Sequence, residues 1–234
     1  AVVTDPLTHE KYAINDFKLV PQIAILDPKL MIGLPKHITS TTGMDALTHA
    51  IEAYIGLNGT NFTNTMAEKA TKLIFENLQK AYEDGTKLEA RNNMALASYY
   101  AGAAFTRAYV GYVHAIAHNL GGLYGVPHGL ANAIVLPYVL EYSRENAKDK
   151  LSKLAIAGGI GTKAESSEEL SMRFIEHVKK MNKDMNIPTK VKELKEKDIP
   201  LIAKRALKEA NPSYPVPTIM LQKDCEELIR KLIS

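Results

Sequence analysis

Asp45 and His49 stand four apart in GMDALTHAIEAYI, and His114 and His128 fall in the later run YVHAIAHNLGGLYGVPHGLAN. Residues four apart on a helix lie about one turn from each other on the same side, so Asp45 and His49 can bite one ion. His114 and His118 repeat that spacing, and His128, between Pro127 and Gly129, sits at a helix start where its side chain can reach a neighbouring helix. Imidazole and carboxylate together suit iron(II), zinc, cobalt or nickel, with zinc ahead of iron(II) in affinity. Three neutral imidazoles and one carboxylate leave a divalent ion with net positive charge, an open position and Lewis acidity. Such an ion acidifies a bound hydroxyl or water.

Isolated histidines in helical proteins are more often ordinary core or surface groups than ligands, and His9, His37 and His177 read that way. His177, flanked by Glu176 and Lys179, reads as part of a solvated face. Asp45 and His49 differ because Ala46, Leu47, Ala50 and Ile51 surround them, and a buried carboxylate needs a partner. His118 has two readings: a proton relay, since imidazole titrates near neutral pH, or a packing histidine bonded to a backbone carbonyl.

The elements that must carry these residues are mostly α-helical. Apolar spacing places helices near 39–57, 64–83, 86–108, 112–124, 129–143, 149–158, 167–184, 198–209 and 222–232. Gly56, Gly59, Gly85 and Gly111 fall between them, Ser166 with Glu169 forms a capping box, and Asp198 before Ile199-Pro200 starts a helix. Gly158, Gly159 and Gly161 read as a helix-ending loop, since no apolar strand precedes them as a phosphate-binding turn requires. Residues 1–33 hold short β-prone runs, AVVTD, KYAIND and VPQIAILD. Their edges are expected either to rearrange against the helical body or to pair with a second copy. Tyr99, Tyr100, Phe105, Tyr109 and Tyr112 read as mixed core and surface aromatics, with Phe105 and Tyr109 spaced to share one helix face. NPSYPVPTIM is extended in character and is expected to wrap the surface.

Composition sets bounds on function. At 46% hydrophobic and 24% charged over 234 residues, the chain has the apolar supply for a helical core. The net charge is +3, and the lysines of 179–208 are interleaved with glutamates and lack stacking aromatics, which argues against nucleic acid. A 20-residue apolar run is lacking, which argues against a membrane span. The single cysteine, Cys225, rules out an internal disulfide, and a reducing cytoplasm is the expected compartment.

GMDALTHAIEAYI, taken with FTRAYVGYVHAIAHNLGGLYGVPHGLANAIVLPYVLEY and continuing through NIPTKVKEL, KDIPLIAKRAL and NPSYPVPTIM, resembles the group III, iron-containing alcohol dehydrogenases. The resemblance implies the all-helical, dehydroquinate-synthase-like carboxy-terminal domain of that family, with Asp45, His49, His114 and His128 as ligands of Fe(II), zinc or another divalent ion. It implies that His118 lies near nicotinamide and substrate, as a catalytic or cofactor-binding residue. NAD or NADP would serve as hydride acceptor and a small alcohol or aldehyde as substrate; a homodimer is the default expectation for a cytoplasmic enzyme, not a consequence of the resemblance. The family's glycine-rich dinucleotide-binding domain and its threonine-glycine-serine motif are not among these residues. The chain therefore reads as a carboxy-terminal piece, inactive alone, with residues 1–33 as residual strands of the nucleotide domain and 34–234 as the metal-binding domain. A helical metallohydrolase and a metal-free, non-catalytic helical module are the alternatives. Glycerol dehydrogenase and dehydroquinate synthase share the fold but match the DALTHA and HAxAH wording less well.

Overall fold

The computed structural model describes residues 2–14 and 16–234; Ala1 and Asn15, which fall in the first two β-prone runs, lie outside them. Two short strands, β1 (Val2–Thr4) and β2 (Lys11–Ala13), form an antiparallel pair in which Val3 faces Tyr12. Among the described residues eight α-helices follow: α1 (Lys36–Ile55), α2 (Asn61–Glu83), α3 (Leu88–Ala108), α4 (Tyr112–Tyr124), α5 (His128–Ala157), α6 (Ser167–Asp184), α7 (Ile199–Ala210) and α8 (Gln222–Arg230).

The helix α1 lies at the centre. It packs against α2, α3 and α5, while α4 is held between α5 and α7. A helix touched on several sides has no solvent face to mark with charges, and Met44, Leu47, Ala50, Ile51 and Ala53 are all fully buried. The carboxyl end of α1 is tied to α5, where Lys150 Nζ donates to the Ile55 and Gly56 carbonyls that the helix leaves unpaired. Capping boxes start two helices, Thr60 with Thr63 on α2 and Ser166 with Glu169 on α6, the second as the sequence predicts. Asp198 does precede α7, but its side chain accepts from the Tyr124 hydroxyl at 2.7 Å and does not cap the helix.

Three sequence expectations need correction. The helices expected at 129–143 and 149–158 are one element, α5, 30 residues long, with Pro137 inside it. The polar stretch Arg144–Lys148 between them contains no breaker; Ala147 is buried, while Arg144 and Lys148 pair with Glu168 and Glu145 on the outer side. VPQIAILD forms no strand: Asp27 accepts from the Lys29 N–H at 2.9 Å and opens a single 3-10 turn at Pro28–Met31. His177 is not on a fully solvated face, since its ring packs against Phe75 with centroids 4.4 Å apart. NPSYPVPTIM does run over the surface as an irregular strap, fastened inward by buried Val216 and Met220 and by the Pro215 carbonyl, which accepts from Leu57 N–H at 2.7 Å. Tyr112, fully buried, accepts from Met220 N–H and donates to Asn211 Oδ1, each at 3.0 Å.

The strand pair lies against the helical body. Arg205 of α7 pairs with Glu10 at 3.1 Å and donates to the Thr8 carbonyl. From Leu19 to Leu34 the chain runs as an arm that exposes Val20, Ile23, Ile25 and Leu30 to solvent. Gly158 closes α5 and Gly159 takes a positive φ of 77°, as a helix-ending loop requires.

Candidate metal centre

Three helices bring the four predicted ligands together. From α1 come Asp45 and His49, one turn apart; His114 comes from the first turn of α4, and His128 is the first residue of α5. One donor atom from each lies within 4.8 Å of all the others. Asp45 Oδ1 stands 3.7 Å from His114 Nε2 and 3.5 Å from His128 Nε2. Those separations are too long for hydrogen bonds but suit donors that converge on a common ion. The His49 ring stacks on His114, with centroids 4.4 Å apart, and on its other side against Phe105 at 4.2 Å.

Three of the four groups hold the charge state that a cation needs. Burial, together with neighbouring His114, depresses His49 to about 3, and burial likewise depresses His128 to about 4, so both rings are neutral with a lone pair to give. Burial works to raise Asp45, but the imidazoles of His114, His49 and His128 around it overcome that and hold it well below the usual carboxylate range. Burial also opposes charge on His114, yet the carboxylates of Asp45 and Glu52 outweigh it and lift that ring to about 9, so a cation has to displace a proton from this ring as it binds. His114 Nε2 is buried and has no hydrogen-bond partner among the described residues. A buried polar atom left without a partner is costly, and a cation among these donors satisfies it. The residues present therefore fit a divalent ion.

Behind these four stand side chains that the sequence reading missed. Glu52, on α1, accepts from His114 Nδ1 at 2.6 Å and from Val113 N–H at 2.8 Å. Asn132, one turn after His128, donates from Nδ2 to Asp45 Oδ1 at 2.6 Å. For Glu52 a signal existed, because it is three residues beyond His49 and seven beyond Asp45, on the same face of an apolar helix. Asn132 gave a weaker one at the same i,i+4 spacing.

His118 lies outside the four-donor group, with its ring stacked near His128 at 5.3 Å between centroids. It is not bonded to a backbone carbonyl, as the packing alternative expects. Its Nδ1 is 2.7 Å from Glu209 Oε1, which also accepts from the Tyr214 hydroxyl at 2.7 Å. Those partners come from α7 and the strap, about 90 residues away in sequence, and no local spacing could have pointed to them. Phe105 and Tyr109 do not share a helix face: α3 stops at Ala108, and Tyr109 takes a φ of 67°, which swings it off the helical path while Phe105 stays against His49.

Fold and site together define a helical domain whose centre can hold one ion through three imidazoles and a carboxylate. Comparison with known proteins narrows that class. The profile of the Fe-containing alcohol dehydrogenase family, C-terminal, matches residues 39–233. The 1,3-propanediol dehydrogenase of Citrobacter freundii is 40% identical over 232 residues, covering 98% of this chain and 60% of that protein. Alcohol dehydrogenase 4 of Saccharomyces cerevisiae is 43% identical over 204 residues, covering 86% of this chain and 52% of that protein. A crystal structure of 1,3-propanediol oxidoreductase superposes with a TM-score of 0.93 at 38% identity, over 99% of this chain and 61% of that one. The chain belongs to the iron-containing alcohol dehydrogenase family and corresponds to its C-terminal domain. It spans about 60% of the length of the 1,3-propanediol dehydrogenase it matches.

Proposed function

We propose that this chain is the metal-binding part of an NAD(P)-linked alcohol dehydrogenase that interconverts a small alcohol and its aldehyde or ketone. The observation that carries the proposal is the meeting of Asp45, His49, His114 and His128 around the unpartnered Nε2 of His114 in a domain of this family. Bound there, a divalent ion, iron by the family's description with zinc equally suited to the donors, supplies Lewis acidity toward the substrate oxygen while NAD or NADP accepts hydride from its carbon.

This chain's residues then do the following. Asn132 holds Asp45 in place through Oδ1, and Phe105 keeps the His49 ring stacked against His114. Glu209 occupies His118 Nδ1, which leaves Nε2 as the ring nitrogen free to take the hydroxyl proton and pass it to solvent. The buried wall of α1, α4 and α5 closes off His114, while Asp45, His49 and His128 stay partly accessible from the open side. Proton and hydride leave the alcohol together as the carbonyl forms, and the reverse reaction returns both.

Residues 34–234 serve in this reading as the metal-binding domain, and the strand pair and arm before them as an extension of the nucleotide-binding domain; the exposed apolar side chains of the arm support that assignment. The same exposed arm supports a homodimer. The free, buried thiol of Cys225 accords with a reducing cytoplasm. The hydrolase alternative needs a spare carboxylate to activate water, but both oxygens of Glu52 are committed to His114 and Val113.

A chimera tests the proposal. Joined to the amino-terminal part of the C. freundii relative and loaded with iron(II) or zinc, the chain is expected to support NAD(P)-linked oxidation of small alcohols. A folded, metal-loaded, nucleotide-binding chimera without oxidation of any short alcohol refutes it.

A further inference from the structure

We infer that Glu52 is a positioning residue for His114, fixing which ring nitrogen faces the ion, and that residue 111 is glycine to leave room for the Glu52 carboxylate; this rests on the metal reading above. Glu52, 4% exposed, is the one charged side chain among the buried residues of α1. Both its oxygens are occupied, Oε2 by His114 Nδ1 at 2.6 Å and Oε1 by Val113 N–H at 2.8 Å.

Those two partners are consecutive residues in the first turn of α4, where backbone N–H groups have no acceptor within the helix. One carboxylate therefore pins the start of α4 to α1 at the level where Asp45 and His49 must meet His114. An imidazole whose Nδ1–H is held by an acceptor keeps its lone pair on Nε2 and cannot rotate freely. Nε2 is the atom that stands among the other donors without a partner of its own. A Cβ built on Gly111 would lie 2.8 Å from Glu52 Oε1. With a φ of −143°, Gly111 is not in the left-handed region, and the next neighbour, Val216 Cγ1 at 3.6 Å, is at ordinary contact distance, so an added methyl meets the carboxylate first.

The test measures zinc dissociation constants of the chain by chelator competition, and records long-range 1H–15N spectra of its histidine rings with zinc bound. Wild type, Glu52→Gln and Gly111→Ala are compared, each checked for helical content. Gln has one acceptor oxygen where two donors need one, so Glu52→Gln is expected to weaken zinc binding roughly 10- to 100-fold and to disturb the Nδ1–H pattern of His114. Gly111→Ala, which keeps the charge and displaces it, is expected to weaken binding by a smaller factor, and decides the matter if Glu52→Gln does not fold. Folded variants that bind zinc within twofold of wild type with an unchanged ring pattern overturn the inference. Failure of the wild type itself to bind zinc overturns instead the metal reading beneath it.

Discussion

At the scale of single residues, chemistry here depends on how each ring and carboxylate is held. Glu209 holds His118 through the same oxygen that accepts from Tyr214. In an active chimera, Glu209→Gln is expected to lower kcat by about 10²-fold, the usual scale of a proton-transfer contribution, with KM within threefold and metal content unchanged. An equal change in KM alone would assign Glu209 to substrate binding. Cys225 gives a different test. Burial, with Glu226 and Asp224 nearby, pushes its thiol up to about 12, so the thiolate is scarce at neutral pH. A disulfide reagent is expected to label it only as fast as the chain unfolds; rapid labelling of native protein at pH 8 would contradict its buried setting. Asp45 and His49 were legible as a pair because helical i,i+4 spacing gives them a shared face and apolar neighbours surround them, whereas the choice of His114 over His118, which share that spacing, rested on the family resemblance. Glu209 and Tyr214 were not legible, since only the fold brings them to His118.

Among elements, the site depends on the approach of α1 to α5. Gly129, next to His128, lies so close to α1 that an added Cβ would stand 2.5 Å from the Thr41 carbonyl oxygen. Backbone cannot yield there as a flexible side chain can. Gly129→Ala is expected to cost about 1–3 kcal/mol and to weaken metal binding by moving His128 away from Asp45. Chemical denaturation and metal titration of the same variant check both parts, and unaltered values would show that the two helices have slack. Ser166→Ala, in the α6 capping box and remote from the donors, is expected to cost about 1 kcal/mol without altering metal affinity. Seven of the eight helices were readable to within three residues, because glycine, proline and capping side chains mark their ends. The eighth, α5, was split in the sequence reading because a polar turn on its solvent side resembles a loop when neighbouring elements are unknown. VPQIAILD failed as a strand for a related reason: β-prone composition forms a strand only where a partner edge is present.

For the molecule as a whole, the buried core of α1–α8 contrasts with an arm that carries Ile23 and Ile25 at 79% and 89% exposure. A run of apolar side chains so exposed is a surface suited to association. The isolated chain is expected to associate in a concentration-dependent way, and Ile23→Ser with Ile25→Ser to reduce that association; sedimentation that shows a monomer at all concentrations for both would remove the arm from any interface. The central claim is that the helical body assembles a metal site from three separate helices. The most direct measurement is metal content of the anaerobically purified chain after addition of iron(II) or zinc, beside a His49→Ala, His128→Ala double variant. One ion per chain in the parent and none in the variant is the predicted result. A parent that retains no more metal than the variant would contradict the claim.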